Sequence, residues 1–166
     1  MNTNELYELH DRNDESIYFL DKACTMPYTG HIEEYFKGQL SMESDVVEGY
    51  RDGICKEYYD DTHTLELIGG IKYNMANGFH IEFYESGRIR SISLVVNNCF
   101  FDSYDYDEEG KLTLVEIWPN DKRLPFGPDF DQSIISKLRQ KYNLAEINEE
   151  ILRDGQDFSY EKYFRE

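Results

Sequence analysis

Gly30-His-Ile-Glu-Glu-Tyr35-Phe36 returns in altered form as Gly53-Ile-Cys-Lys-Glu-Tyr58-Tyr59, Gly78-Phe-His-Ile-Glu-Phe83-Tyr84 and Phe101-Asp-Ser-Tyr-Asp-Tyr106-Asp107. An aromatic stands five residues after the first position of every copy. The first three copies carry a second aromatic directly after it. The leading aromatics Tyr35, Tyr58, Phe83 and Tyr106 are separated by 23, 25 and 23 residues. Recurrence at such a period marks stacked supersecondary units. A turn follows in most copies: Gly38, Gly87 and Gly110 sit just beyond the aromatics. Glycine takes a positive φ at no steric cost, so the chain can reverse tightly there. Returning strands are expected over Leu65–Ile68, Ile89–Val96 and Leu112–Trp118. Each unit therefore reads as strand, turn, strand, and the units stack into one elongated antiparallel sheet. Ser16–Leu20 is expected to supply an extra strand before the first unit.

A leading Gly, an aromatic pair five residues on and a Gly turn, recurring over residues 16–118, resembles the MORN repeat. More closely, it is similar to the bacterial MORN-repeat variants of YwqK-like antitoxins and immunity proteins. The chain departs from that pattern at the turn Asp60-Asp61-Thr62-His63, which lacks Gly, and at Phe101, where the fourth copy lacks its leading Gly. The resemblance implies a non-enzymatic protein that binds and neutralises a cognate bacterial toxin. It also leaves an alternative from another class, a MORN scaffold that binds lipid or organises a protein assembly.

Beyond Trp118 the repeat stops. Pro119, Pro125, Gly127 and Pro128 form a breaker-rich connector. The chain thus divides into a β-repeat region, residues 1–126, and a C-terminal helical cap and tail, residues 127–166. Phe130, Ile134, Ile135, Leu138 and Tyr142 fall on one helical face, with Asp129 or Asp131 placed to cap its start. A second helix is expected to carry Leu144, Ile147, Ile151 and Leu152 and to end near Gly155. Such a pair would cover the last strand and one face of the sheet; a partner-binding helix is the sharper alternative. The tail, with Phe158, Tyr160, Tyr163 and Phe164, reads equally as docked or disordered.

The expected fold is mainly β, and the composition agrees: 14 Tyr and 10 Phe suit a half-buried pleated surface. A net charge of −17 opposes direct binding of nucleic acid or an anionic membrane and favours basic partners. Cys24, Cys55 and Cys99 are odd in number and widely spaced, which predicts reduced thiols in the cytoplasm. The N-terminus has no apolar core of a signal peptide, and no run approaches the ~18 apolar residues that span a bilayer. His10, His31, His63 and His80 lack metal-ligand spacing, and no nucleophile elbow or phosphate loop occurs. The expectation is a protein without catalytic site, cofactor or metal.

The acids carry more information. At the fourth position after each leading residue stand Glu34, Glu57, Glu82 and Asp105. Strand alternation aims all four at one sheet face, two strand spacings or roughly 10 Å apart, in a row about 30 Å long. A second acidic patch, Asp102-Ser103-Tyr104-Asp105-Tyr106-Asp107-Glu108-Glu109, pairs carboxylates with tyrosines, and Asp60 and Asp61 extend it from the corresponding turn. Tyrosine gives rigid amphipathic contact, and carboxylates complement Lys and Arg. The partner expected for this surface is a protein toxin with a basic cleft, a nuclease or another nucleic-acid-directed enzyme.

Overall fold

The computed structural model describes residues 1–165. A short hairpin, β1 (Tyr7–His10) and β2 (Ser16–Phe19), precedes eight strands that pair in chain order: β3 (Gly30–Phe36), β4 (Gln39–Val47), β5 (Tyr50–Tyr58), β6 (Leu65–Lys72), β7 (Met75–Phe83), β8 (Ile89–Val96), β9 (Cys99–Tyr106) and β10 (Leu112–Ile117). Every neighbouring pair is antiparallel. The mainly β fold expected from the repeat is thus present, as one eight-stranded meander.

The repeat has a physical content that its spacing hides. In each unit a β-bulge places one extra residue on the returning strand opposite the acid and the leading aromatic: Ser41 against Glu34/Tyr35, Glu66 against Glu57/Tyr58, Arg90 against Glu82/Phe83 and Thr113 against Asp105/Tyr106. The second aromatic reaches the next unit. Tyr59 Oη donates to Phe83 O at 2.6 Å, and Tyr84 Oη donates to Tyr106 O at 2.7 Å. Phe36 has no hydroxyl and stands exposed, so the first unit lacks this link. At the opposite end of the strands, Asn74 Oδ1 accepts from Arg51 N and Asn98 Oδ1 accepts from Ala76 N. Tyr73-Asn74 and Asn97-Asn98 both hold positive φ at the two turn positions, the conformation of a two-residue hairpin loop. The second, third and fourth units are therefore tied to one another at both ends of the strands. Gly70 marks a close approach in between: a Cβ there would lie 2.2 Å from Asn77 O. Gly70→Ala is expected to cost about 1–3 kcal/mol through overpacking, read as a lower denaturation midpoint at unchanged m-value.

The two faces of the sheet are covered at different places. On the front face the β1–β2 hairpin lies over β3–β5, burying Leu6 and Tyr18 against Ile32, Met42, Val46 and Cys55. The strand expected at Ser16–Leu20 does form, but it pairs with β1 rather than extending the sheet. Tyr18 decides this, because its buried ring enters the core while its amide donates to Gly49 O.

On the back face, α1 (Ser133–Lys141), α2 (Leu144–Asp154) and the tail cover the β7–β9 region. Leu144, Ile147 and Ile151 of α2 enter one core with Ile68, Phe79, Ile81, Phe83, Ile92 and Leu94. Leu152 stands one position round the helix and is exposed, against the expectation that it packs. Asp131 precedes the N-cap Gln132 of α1 and accepts from the Ser133 amide and hydroxyl at 2.9 Å each. The tail is docked: Tyr142, Tyr163 and Phe164 surround the Phe79 ring, and Tyr160 meets Phe83. The cap differs from expectation at its margin. It covers the middle of the sheet and leaves β10, the last strand, exposed from Thr113 to Ile117.

Candidate protein-binding face

The register places the four predicted acids in line. Glu34 pairs with Met42, Met42 with Glu57, Glu57 with Leu67, Leu67 with Glu82, Glu82 with Ser91 and Ser91 with Asp105. Residues paired across an antiparallel ladder project to the same side, so Glu34, Glu57, Glu82 and Asp105 share the front face. A parallel row of small side chains runs two residues away along Ser44, Cys55, Gly69, His80, Ser93 and Ser103. His80 is the exception in size. Its ring lies across Gly69, whose hydrogen alone leaves room for it, and its Nε2 pairs with Gly70 O at 2.8 Å. A carbonyl only accepts, so Nε2 carries the proton, and burial holds the imidazole below its usual pKa and neutral.

The four carboxylates are not equivalent. Glu82 is paired with Arg90, at 2.5 Å from Nη2 and 3.1 Å from Nε. Glu34 accepts from Tyr18 Oη at 3.3 Å. Among the described residues, Glu57 and Asp105 have neither kind of partner. Desolvation by burial holds the Glu57 carboxyl above the usual range; Arg51 opposes this, while Glu66, Glu34 and Glu82 add to it. Asp105 is raised likewise, by desolvation and then by Glu116 and Glu82.

A raised carboxyl pKa in the folded chain means that the ionised form destabilises the fold. The stability is therefore highest when the group is protonated and falls as pH rises through the folded pKa. Glu57→Gln is accordingly expected to raise the thermal midpoint at pH 7. That gain should disappear once pH falls below the carboxylate range, where Glu57 itself is neutral.

Around Glu57 the face deepens into an acidic bay of about 400 Å³, bounded by the β1–β2 hairpin and β3–β6. Its walls include Asp14, Glu15, Glu34, Asp60 and Glu66. Arg51 is the cation inside it, and Glu15 engages that side chain at 2.6 Å. Glu66 escaped the sequence reading because simple alternation with Leu67 sends it to the back. The bulge opposite Glu57 and Tyr58 turns it to the front instead. Glu116 joins the other end of the row from β10, in the register position that faces Ser103. The returning strands of the other units carry Ser44, Gly69 and Ser93 at the equivalent position, so the repeat pattern gave no reason to look for an acid at Glu116.

The second predicted patch is divided by the sheet. Asp102, Tyr104 and Tyr106 alternate to the back, away from Asp105. Asp102 is buried and gripped by Arg139 of α1, at 2.6 Å from Nε and 2.7 Å from Nη2, while accepting from the Trp118 amide. Tyr106 is 2% exposed and donates to Asn148 of α2. Tyr104 packs at the margin of the same core. Asp102 and Tyr106 hold the cap, and their removal from the surface is a correction to the sequence reading, whereas Tyr104 stays half-buried beside a cleft. Asp107, Glu108 and Glu109 remain accessible in the β9–β10 turn, as Asp60 and Asp61 do in the β5–β6 turn. Both turns lie at the same end of the strands, and Asp60 faces the bay.

Among the described residues no group of three His, Cys, Asp or Glu side chains is arranged to hold a metal ion. No described helix is long and apolar enough to cross a membrane. Compared with known proteins, the chain matches no protein-family model and no curated protein.

Proposed function

We propose that this chain is an antitoxin or immunity protein that acts by binding, and that its front face engages a basic surface of a bacterial toxin. The observation that carries the reading is the unbroken register that aligns Glu34, Glu57, Glu82 and Asp105 across seven strands. A sheet held at both strand ends presents these carboxylates on a rigid frame, and a preorganised surface loses little entropy on binding. Glu57 and Asp105 stand unpaired at some cost to the fold. A cationic partner would relieve that cost, which is the arrangement expected of a surface kept for binding. A nuclease or another enzyme acting on nucleic acid fits the charge, since its cleft must attract phosphates and would receive carboxylates in their place. The wide spacing of the row suits such a cleft: neighbours about 10 Å apart repel weakly at physiological salt, where the Debye length is about 8 Å.

The test is co-expression with the product of the gene adjacent to its own. Growth should be rescued, and the two proteins should co-purify as a complex that high salt weakens. Neither rescue nor a complex would reject the assignment.

A further inference from the structure

The two edges of the sheet are treated differently. At the β3 edge the chain start lies alongside: the Met1 amino group donates to His31 O at 2.8 Å, Glu33 N donates to Met1 O at 2.9 Å, and Asn2 forms a parallel bridge with Glu33. At the β10 edge no described residue pairs with the outer side. Folded proteins ordinarily blunt an open edge with lysine, proline, a bulge or a covering segment. β10 has a bulge at its start and one charge at Glu116, but from Leu114 to Ile117 it has no lysine, proline or covering segment and exposes Leu114, Val115 and Ile117.

The hydrogen-bonding groups of that edge can be assigned. The Trp118 amide donates inward to Phe101 O at 2.8 Å. Alternation along an antiparallel strand then turns the amides and carbonyls of Leu114 and Glu116 toward β9 and those of Val115 and Ile117 outward. Side chains follow the same alternation. Glu116 and Leu114 share the front face with Asp105 and Ser103, whereas Val115 and Ile117 share the back with Tyr104 and Asp102. Clefts flank the edge. One of about 270 Å³ lies by Phe100, Ser103, Glu116 and Trp118, and another of about 210 Å³ lies by Tyr104, Ile117, Tyr142 and Leu144, where the cap stops short of β10.

We propose that the outer edge of β10 receives an extended strand of a cationic protein, with Lys or Arg on the face of Glu116 and Asp105 and apolar residues on the face of Val115 and Ile117. This rests on the binding function proposed above and identifies where the partner's backbone joins. Strand addition supplies affinity through main-chain bonds and selectivity through alternate side chains. Charge selects the occupant: a second copy would bring another net −17 and a second Glu116 to the same edge, whereas a basic strand meets opposite charge.

The probe is a ten-residue peptide alternating Lys and Val, compared with the same peptide N-methylated at alternate residues, which keeps its charge but cannot pair. Binding to the full chain is followed by anisotropy at low salt and by amide hydrogen exchange. The unmodified peptide should bind at least tenfold tighter than the methylated one and slow exchange at Val115 and Ile117. Val115→Pro deletes an outward amide without touching the inner ladder, so the sheet should persist and the tenfold preference should vanish. Equal binding of both peptides, without protection of Val115 and Ile117, overturns strand addition while leaving the acidic face intact as a binding surface. Failure of both peptides to bind at low salt overturns both readings. Protection of the same two amides on dimerisation, without peptide, gives the edge to a second copy and also overturns the proposal. The exchange readout on the unaltered chain stands whether or not the proline variant folds.

Discussion

Arg139→Ala is expected to destabilise the fold by about 3 kcal/mol, the lower end of the range for stripping one partner from a buried ion pair. Asp102 is 4% exposed and receives two guanidinium bonds from Arg139, which also donates to Trp118 O and to the Asn120 side chain. The arginine therefore fastens α1 to β9 and to the connector after β10. Its loss leaves a carboxylate buried without a counter-charge and frees the connector. Arg139 itself is about a quarter exposed, so water reaching the site limits the damage. Chemical denaturation should show the lower midpoint. The double replacement Asp102→Asn with Arg139→Met should recover part of the loss, because the buried charge is then gone.

The other large effect is on binding. Changing Glu34, Glu57 and Glu82 to Gln and Asp105 to Asn should slow association with a cationic protein partner about ten- to a hundredfold at low salt. The salt dependence of the rate should flatten as well. Loss of Glu82 also releases Arg90, which adds a repulsive charge to the face. The fold should not suffer in parallel. Glu57 and Asp105 are strained as anions, so neutralising them favours folding at pH 7. Weaker binding together with equal or higher stability would separate a binding surface from a structural one.

The repeat was legible in the sequence because it rests on local chemistry. Glycines at the turns and aromatics at a fixed offset betray a hairpin wherever it recurs, and alternation then fixes which acids share a side. Register held from β3 to β10 because each unit repeats the same bulge, so every strand shifts alike and the row stays aligned. What the sequence concealed was non-local. Tyr106 occupies the same repeat position as Tyr35, yet Tyr106 is buried and Tyr35 exposed. The difference lies in α2, which reaches one end of the sheet and not the other. Asp102 looked like part of an acidic surface because its partner, Arg139, is 37 residues away. Glu66 went unnoticed because a single extra residue at a bulge reverses the side to which alternation points. The docked tail likewise depends on Phe79, an apolar residue inside a repeat that could have faced either cover.

The most direct test of the account is a hydrogen-exchange footprint of this chain bound to the cationic protein proposed as its partner. Slowed exchange should concentrate on β5, β7, β9 and β10, the strands that present Glu57, Glu82, Asp105 and the open edge. Protection confined to α1, α2 and the tail, with those strands exchanging as in the free protein, would contradict it.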